Sequence, residues 1–207
     1  KVILICIIIS KKRDFMKKAW IIINQFLKTK KFTELYDYFK KALDSRNIQV
    51  EIFTNAEVLS FINSEFDPPS LVIFWDKDIR LAKLMESMGL KLFNSASAIE
   101  ICDDKYLTYL CLKDKGINTP LTLPVPMTFS NVDYSDFGFL DEYIKILGLP
   151  LIIKENFGSF GEQVHLAKTK DDALKIIASS GRRPLIFQKF IASSFGKDIR
   201  INIAGNR

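Results

Sequence analysis

The sequence has one histidine, three cysteines, nine glycines and seven prolines, and each scarcity narrows the chemistry. With His165 alone, His-rich zinc sites and nucleophilic machinery built on more than one histidine are excluded. Cys6, Cys102 and Cys111 are odd in number and lack C-x-x-C or metal-ligand spacing, which fits a reducing cytoplasm rather than a disulfide framework. The most apolar stretch, KVILICIIIS, is too short to span a bilayer. It runs into KKRDF, with no small-residue cleavage site of the kind that ends a signal peptide. Neither G-x-x-x-x-G-K-[ST] nor G-x-G-x-x-G opening a helix occurs, so the common glycine-rich nucleotide loops are poor matches. There is no internal repeat and no low-complexity tract.

What is present is an ordinary α/β composition, 48% hydrophobic and 12% aromatic over 207 residues, enough for one large or two small cores. The formal charge of +6 is concentrated: residues 11–31 hold eight Lys/Arg against Asp14 alone, leaving the remainder near neutral. This is a basic N-terminal segment on a neutral body. One reading makes it a module for nucleic acid or an acidic partner, whose binding would fall steeply with salt. Scattered aromatics without a stacking platform argue against nucleic acid. The other reading makes residues 1–15 extra or upstream sequence, or an additional edge strand, with the domain opening at Met16. The final INIAGNR reads as a strand entering a turn, so the chain is expected to be a fragment at its C-terminus.

Hydrophobic periodicity orders the rest. Ala19–Asn24 is a continuous apolar run, as in a strand buried on both faces. Phe32, Leu35, Tyr36, Phe39 and Leu43 recur at helical spacing. IQVEIF, SLVIFW and LKLF read as strands, and 56–62 and 79–88 as helices, the second closed by Gly89. This alternation predicts a parallel sheet over residues 16–102 with helices on both faces. Its ligands would lie beyond the carboxyl ends of the strands, where WDKD stands. Asp76, Lys77, Asp78 and Arg80 there are either a surface ion-pair cluster or a substrate contact. Trp20 and Trp75 are read as core.

A second region, 103–191, follows. Asp103 can cap a helix over 104–115, Pro120, Pro124 and Pro126 mark a linker, and a helix over 140–147 ends at Gly148. Thr169 and Asp172 form a capping box. PLIFQKFI reads as a strand, and DIRINI alternates, with Asp198, Arg200 and Asn202 on one face. His165 is read as structural.

PLIIKENFGSFGEQVHL carries the most chemistry. On its own, the stretch around Gly158 and Gly161 is most simply a β-hairpin tip. It also suits a phosphate cover: glycines let backbone N–H groups approach a polyphosphate, Ser159 adds a donor and Lys154 a point charge. Lys105, in FNSASAIEICDDK, is by itself either a solvated first-turn lysine or a phosphate ligand.

Taken in order, FWDKDIRLAK, FNSASAIEICDDK, LIIKENFGSFGEQV and FQKFIASSFGKDIR resemble segments of the ATP-grasp fold, and within it the RimK-type carboxylate–amine ligases. The likeness covers Met16 to Arg207. It implies an N-terminal parallel-sheet domain followed by an α+β nucleotide-binding lid domain, with 192–207 opening a third subdomain that is largely missing. It implies that Lys105 and Lys154 reach ATP phosphates and that Gly158, Ser159, Phe160 and Gly161 form the lid loop. Gln188, Lys189, Phe190 and Ile191 would be the hinge that reads adenine, Asp198 the ribose contact, and Arg200 the catalytic balance for phosphate or acyl-phosphate charge. The hinge position usually acidic in the family is Lys189 here. The family's Mg²⁺ ligands fall on strands beyond residue 207, so the chain as given is expected to bind nucleotide weakly and catalyse little, or to be a non-catalytic ATP-binding remnant. The partners implied are ATP and a carboxylate/amine pair (amino acid, peptide or small metabolite), with no membrane; a homo-oligomer is compatible with the likeness, and the location implied is cytoplasmic.

Overall fold

The computed structural model describes residues 17–129, 132–158, 161, 163–197, 199 and 201. The chain divides between Ile99 and Glu100 into two compact units.

In the first unit, β1 (Lys17–Ile23), β2 (Ile48–Thr54), β3 (Leu71–Trp75) and β4 (Leu92–Phe93) pair in parallel in the order β2-β1-β3-β4. β1 is apolar from Ala19 to Ile23 because both its faces are covered there. Trp20 and Ile22 join Val72 and Phe74 against α2 (Asn55–Phe61) and α3 (Ile79–Ser87). Ala19 and Ile21 join Val50 against Phe39 and Leu43 of α1 (Lys30–Asp44). Trp20 is buried and its indole N–H donates to Glu51 Oε2 at 3.1 Å. Trp75 packs edge-on to both Tyr36 and Phe39. Thr54 and Glu57 cap α2 reciprocally.

The second unit is built on an antiparallel sheet. Its strands β5 (Thr122–Pro124), β6 (Leu151–Glu155), β7 (Val164–Ala167) and β8 (Leu185–Lys189) lie in the order β5-β8-β6-β7. Leu151, Ile153 and Phe187 face a core shared with Leu140 of α6 (Gly138–Leu147) and Ile177 of α7 (Lys170–Ser180). α7 starts at the expected Thr169–Asp172 capping box, and α6 ends at Gly148. α5 (Lys105–Asp114) precedes the sheet, and a 3-10 turn, Ala192–Ser194, follows it.

Two expectations change. Thr122–Pro124, inside the stretch read as a proline linker, is an edge strand paired with β8; an edge tolerates the missing N–H of Pro124. Residues before Lys105 form a helix of their own, α4 (Ala96–Asp103). Asp103 therefore ends a helix, and Asp104 is the cap of α5, its Oδ1 accepting from Leu107 N at 2.8 Å. Residues 1–15 and the alternating DIRINI lie outside the described residues, apart from Ile199 and Ile201, which are exposed.

Candidate functional site

Alternation along β6 and β8 sorts their side chains. Leu151 and Ile153, with Leu185 and Phe187, enter the core; Ile152, Lys154, Ile186 and Gln188 therefore share the opposite face. Lys154 stands there because a strand ending in I-I-K-E buries every second residue and brings the lysine out on the other side. Its Nζ donates to Gln188 Oε1 at 2.7 Å. Gln188 Nε2 donates to Thr122 Oγ1 at 2.8 Å, and the Thr122 hydroxyl donates to the Pro120 carbonyl at 2.9 Å. Thr122 is 1% exposed, so this relay runs from a buried anchor on β5 to the lysine ammonium on β6.

Lys105 approaches from the first turn of α5. Its Nζ donates to the carbonyls of Asn156 at 3.3 Å and Gly158 at 3.1 Å. Asn156 ties the end of β6 to that helix: its carbonyl accepts from Lys105 N at 3.1 Å, its Oδ1 accepts from Tyr106 N at 3.0 Å, and its own N–H donates to Pro184 O at 2.7 Å. Burial, and then the Lys105 ammonium, push the Lys154 pKa below its usual 10.5. Two cations thus share one partly desolvated neighbourhood at the mouth of the glycine turn. That arrangement favours an anion, because an anion relieves both the burial cost and the mutual repulsion.

The turn itself requires glycine. Gly158 has φ +119° and Gly161 φ +78°, a region that residues with a Cβ rarely adopt. The turn closes through Glu155 N donating to Gln163 O at 3.1 Å and Val164 N to Gly161 O at 3.3 Å. Ser159 and Phe160 lie outside the described residues, as do Asp198 and Arg200. At the end of β8, the Lys189 N–H is committed to the Leu121 carbonyl at 2.9 Å. The Lys189 side chain is exposed, Phe190 packs edge-on to Phe195 at 5.8 Å, and Ile191 is exposed.

The structure therefore brings together Lys105, Lys154, Gly158, Gly161 and Gln188 within one unit. Sequence reading missed Asn156 and Thr122, the two residues that position the lysines. His165 is an exposed residue of β7. In the other unit, Asp78 is the N-cap of α3 and Asp76 is held by Asn24, so the WDKD cluster is organised by helix capping and an amide rather than only by ion pairs. Among the described residues, no group of three or more His, Cys, Asp or Glu side chains converges as a metal site.

A sequence profile of the RimK-like ATP-grasp domain matches residues 102–207, the stretch that carries both lysines and the glycine turn. The chain belongs to this family. Relatives of this RimK-like chain include the uncharacterized protein MG012 homolog of Mycoplasma pneumoniae. It is 31% identical over 180 residues, covering 83% of this chain and 61% of that protein. Mouse beta-citrylglutamate synthase B is 32% identical over 135 residues, 64% of this chain and 33% of that one. In fold, the chain is similar to D-alanine–D-alanine ligase from Bacillus anthracis, with a TM-score of 0.63 at 19% identity over 84% of this chain and 58% of the ligase. The RimK-like chain thus spans about three fifths of the first relative's length and about a third of the second's.

Proposed function

We propose that this RimK-like ATP-grasp chain is the nucleotide-binding part of an ATP-dependent carboxylate–amine ligase. A substrate carboxylate oxygen attacks the γ-phosphorus of ATP, and ADP leaves, giving an acyl phosphate. The nitrogen of an amine then attacks the acyl carbon, loses a proton and expels phosphate, leaving an amide. No protein nucleophile is needed, which suits a chain with one histidine; the protein contributes position and charge.

The reading rests on one observation above the others. Lys154 is held by Gln188 on the coreless face of the antiparallel sheet, close enough to the Lys105 ammonium for the second charge to depress its pKa. Both lysines would bind the phosphates, beneath a lid formed by the turn from Gly158 through Ser159 and Phe160 to Gly161. Ile152 and Ile186, on the same face, and the backbone from Gln188 to Ile191 would take the base. Asp198 is assigned to the ribose and Arg200 to the acyl-phosphate charge. Bound Mg²⁺ would neutralise phosphate charge; the described residues assemble no site for it. For the acceptor, the name of the mouse relative points to glutamate as one amine substrate, so an amino acid is the class proposed. Cys102 and Cys111 are free thiols, compatible with a cytoplasmic setting. No helix among the described residues is long and apolar enough to cross a membrane.

Calorimetric titration with ATP tests the assignment. Each charge-assisted bond is worth about 1.5–3 kcal/mol, so Lys154→Ala should weaken ATP binding about tenfold to hundredfold. Unchanged affinity would remove Lys154 from the nucleotide site and the ligase reading with it.

A further inference from the structure

Lys105 is tied to the end of β6, and that end is itself held from the connection between α7 and β8. Glu155 stands opposite Leu185 in the ladder of β6 and β8, so the next rung joins Asn156 to Pro184. The Asn156 N–H donates to the Pro184 carbonyl at 2.7 Å. In a regular antiparallel rung of this type a second bond returns, from the partner's N–H to the Asn156 carbonyl. Proline has no N–H to return. That carbonyl accepts instead from Lys105 N at 3.1 Å and from Lys105 Nζ at 3.3 Å.

A rung with a single bond is a weak tie, and a side-chain pair lies beside it. Glu155 follows Leu151 and Ile153 on the core face of β6. Its side chain is 18% exposed there and meets Arg183 Nε at 3.1 Å. The arginine is anchored in turn: Nη2 donates to the Ser179 carbonyl at 3.2 Å, and the Arg183 N–H donates to the Ser180 carbonyl at 3.3 Å. Both are last-turn carbonyls of α7, which have no partner within the helix. That turn has no basic residue of its own, so Arg183 also supplies the positive charge that a helix C-terminus favours. One guanidinium fork thus joins the carboxylate of β6 to the end of α7, which a lysine's point charge does less well.

We propose that Arg183 and Pro184 are positioning residues for Lys105. Arg183 fixes Glu155 against α7. Pro184 takes the Asn156 N–H and leaves the Asn156 carbonyl to the lysine. Asn156, 7% exposed, carries the constraint on to the first turn of α5, where its Oδ1 accepts from Tyr106 N at 3.0 Å. The two residues act through Asn156 rather than on a phosphate. That Lys105 binds a phosphate rests on the ligase reading; the placement of its ammonium by Arg183 and Pro184 does not.

The test uses the 207-residue chain, with amide hydrogen exchange and calorimetric titration of ATP read on the same variants. Arg183→Ala should speed exchange at Tyr106 about tenfold and weaken ATP binding about three- to tenfold, as coupling within one hydrogen-bond network does. Glu155→Gln added to it removes the unpaired carboxylate, so the melting temperature should recover while ATP affinity does not. Pro184→Ala supplies the missing N–H: the new amide at 184 should exchange slowly, bound to the Asn156 carbonyl, and ATP should bind about threefold more weakly. In a Lys105→Met background neither substitution should weaken ATP binding further. Unchanged Tyr106 exchange in Arg183→Ala, affinity restored by Glu155→Gln, a freely exchanging amide at 184, or full additivity with Lys105→Met would each overturn the proposal. Should Arg183→Ala not fold, Pro184→Ala carries the test alone. ATP affinity untouched by Lys105→Met would sink the phosphate role of that lysine, and the exchange data then decide the positioning by themselves.

Discussion

Lys154 and Gln188 are joined by a 2.7 Å hydrogen bond although they are not register partners. Across β6 and β8, Lys154 stands opposite Ile186, and Gln188 opposite Ile152. The bond is therefore a diagonal one, within reach of long side chains on one face. The other end of the Gln188 amide donates to the Thr122 hydroxyl, which orients the side chain for that bond.

Thr122→Val tests that dependence. The substitution keeps the shape and removes the hydroxyl, leaving the Gln188 amide N–H₂ without its buried acceptor, at a cost of about 1–2 kcal/mol in denaturant unfolding. If Gln188 positions Lys154, ATP affinity falls at least threefold or so as well, and Thr122→Ser restores affinity and stability together. Lost stability with ATP affinity unchanged would leave Thr122 as a packing residue only.

The depressed pKa of Lys154 makes a prediction with a definite sign. In the unfolded chain the lysine keeps its proton to about 10.5; in the folded chain it gives the proton up earlier, through burial first and the Lys105 charge second. Between those values the unfolded state binds more protons, so stability must rise with pH across that window. The destabilisation is fully present at neutral pH and fades as the pH climbs toward 10.5. A bound triphosphate opposes both causes and raises the pKa again. ATP binding should accordingly take up a proton in the same alkaline window and weaken as pH increases through it. Titration calorimetry in buffers of different ionisation enthalpy measures the uptake, and Lys154→Met should abolish it. An uptake that survives in the methionine variant would belong to another group.

Asn156 offers a third measurement. It is 7% exposed and uses its side-chain oxygen on Tyr106 N, one of the first-turn donors of α5 that has no partner within the helix. Asn156→Ala should cost about 1–2 kcal/mol of stability, as the loss of a helix cap does. Asn156→Ala keeps the main-chain carbonyl that accepts from Lys105 Nζ and N, so any fall in ATP affinity reports the shift of that carbonyl once the side-chain tie to α5 is lost. Asn156→Asp, which keeps the acceptor, should preserve α5, with amide exchange at Tyr106 as the readout. Fast exchange at Tyr106 in the aspartate variant, or slow exchange in the alanine one, would show that the cap lies elsewhere.

The sheets were legible because burial imposes periodicity. β1 reads as a run with two covered faces, and β6 as a strand whose lysine falls opposite its core residues. Local capping chemistry was legible too, as at Thr169 and Asp172. Misread elements were those whose reason is tertiary. Three prolines near Thr122 look like a linker until β8 is there to make an edge strand of them. Asp103 and Asp104 are chemically equivalent caps in sequence, and only the continuation of α4 through Asp103 decides between them. Asn156 and Thr122 escaped notice because a single polar residue beside a turn carries no periodic signal; their partners are separated from them by 50 and 66 positions.

Gly158 separates two costs that a single variant confounds. An added Cβ would sit 2.6 Å from Gln163 Oε1, and the backbone there has φ +119°. The close atom is the far end of a flexible side chain, which can swing aside cheaply; the backbone conformation cannot be relieved without re-forming the turn. Strain of this kind costs about 1–3 kcal/mol. Gly158→Ala should therefore destabilise the chain by about that amount, and Gln163→Ala added to it should recover little. The variant should also weaken ATP binding, since Lys105 donates to the Gly158 carbonyl, whose direction depends on the strained φ. Denaturant unfolding and ATP titration of the single and double variants distinguish the two terms. Near-complete recovery in the double variant would locate the cost in the Gln163 contact and free the turn from any need for glycine at position 158.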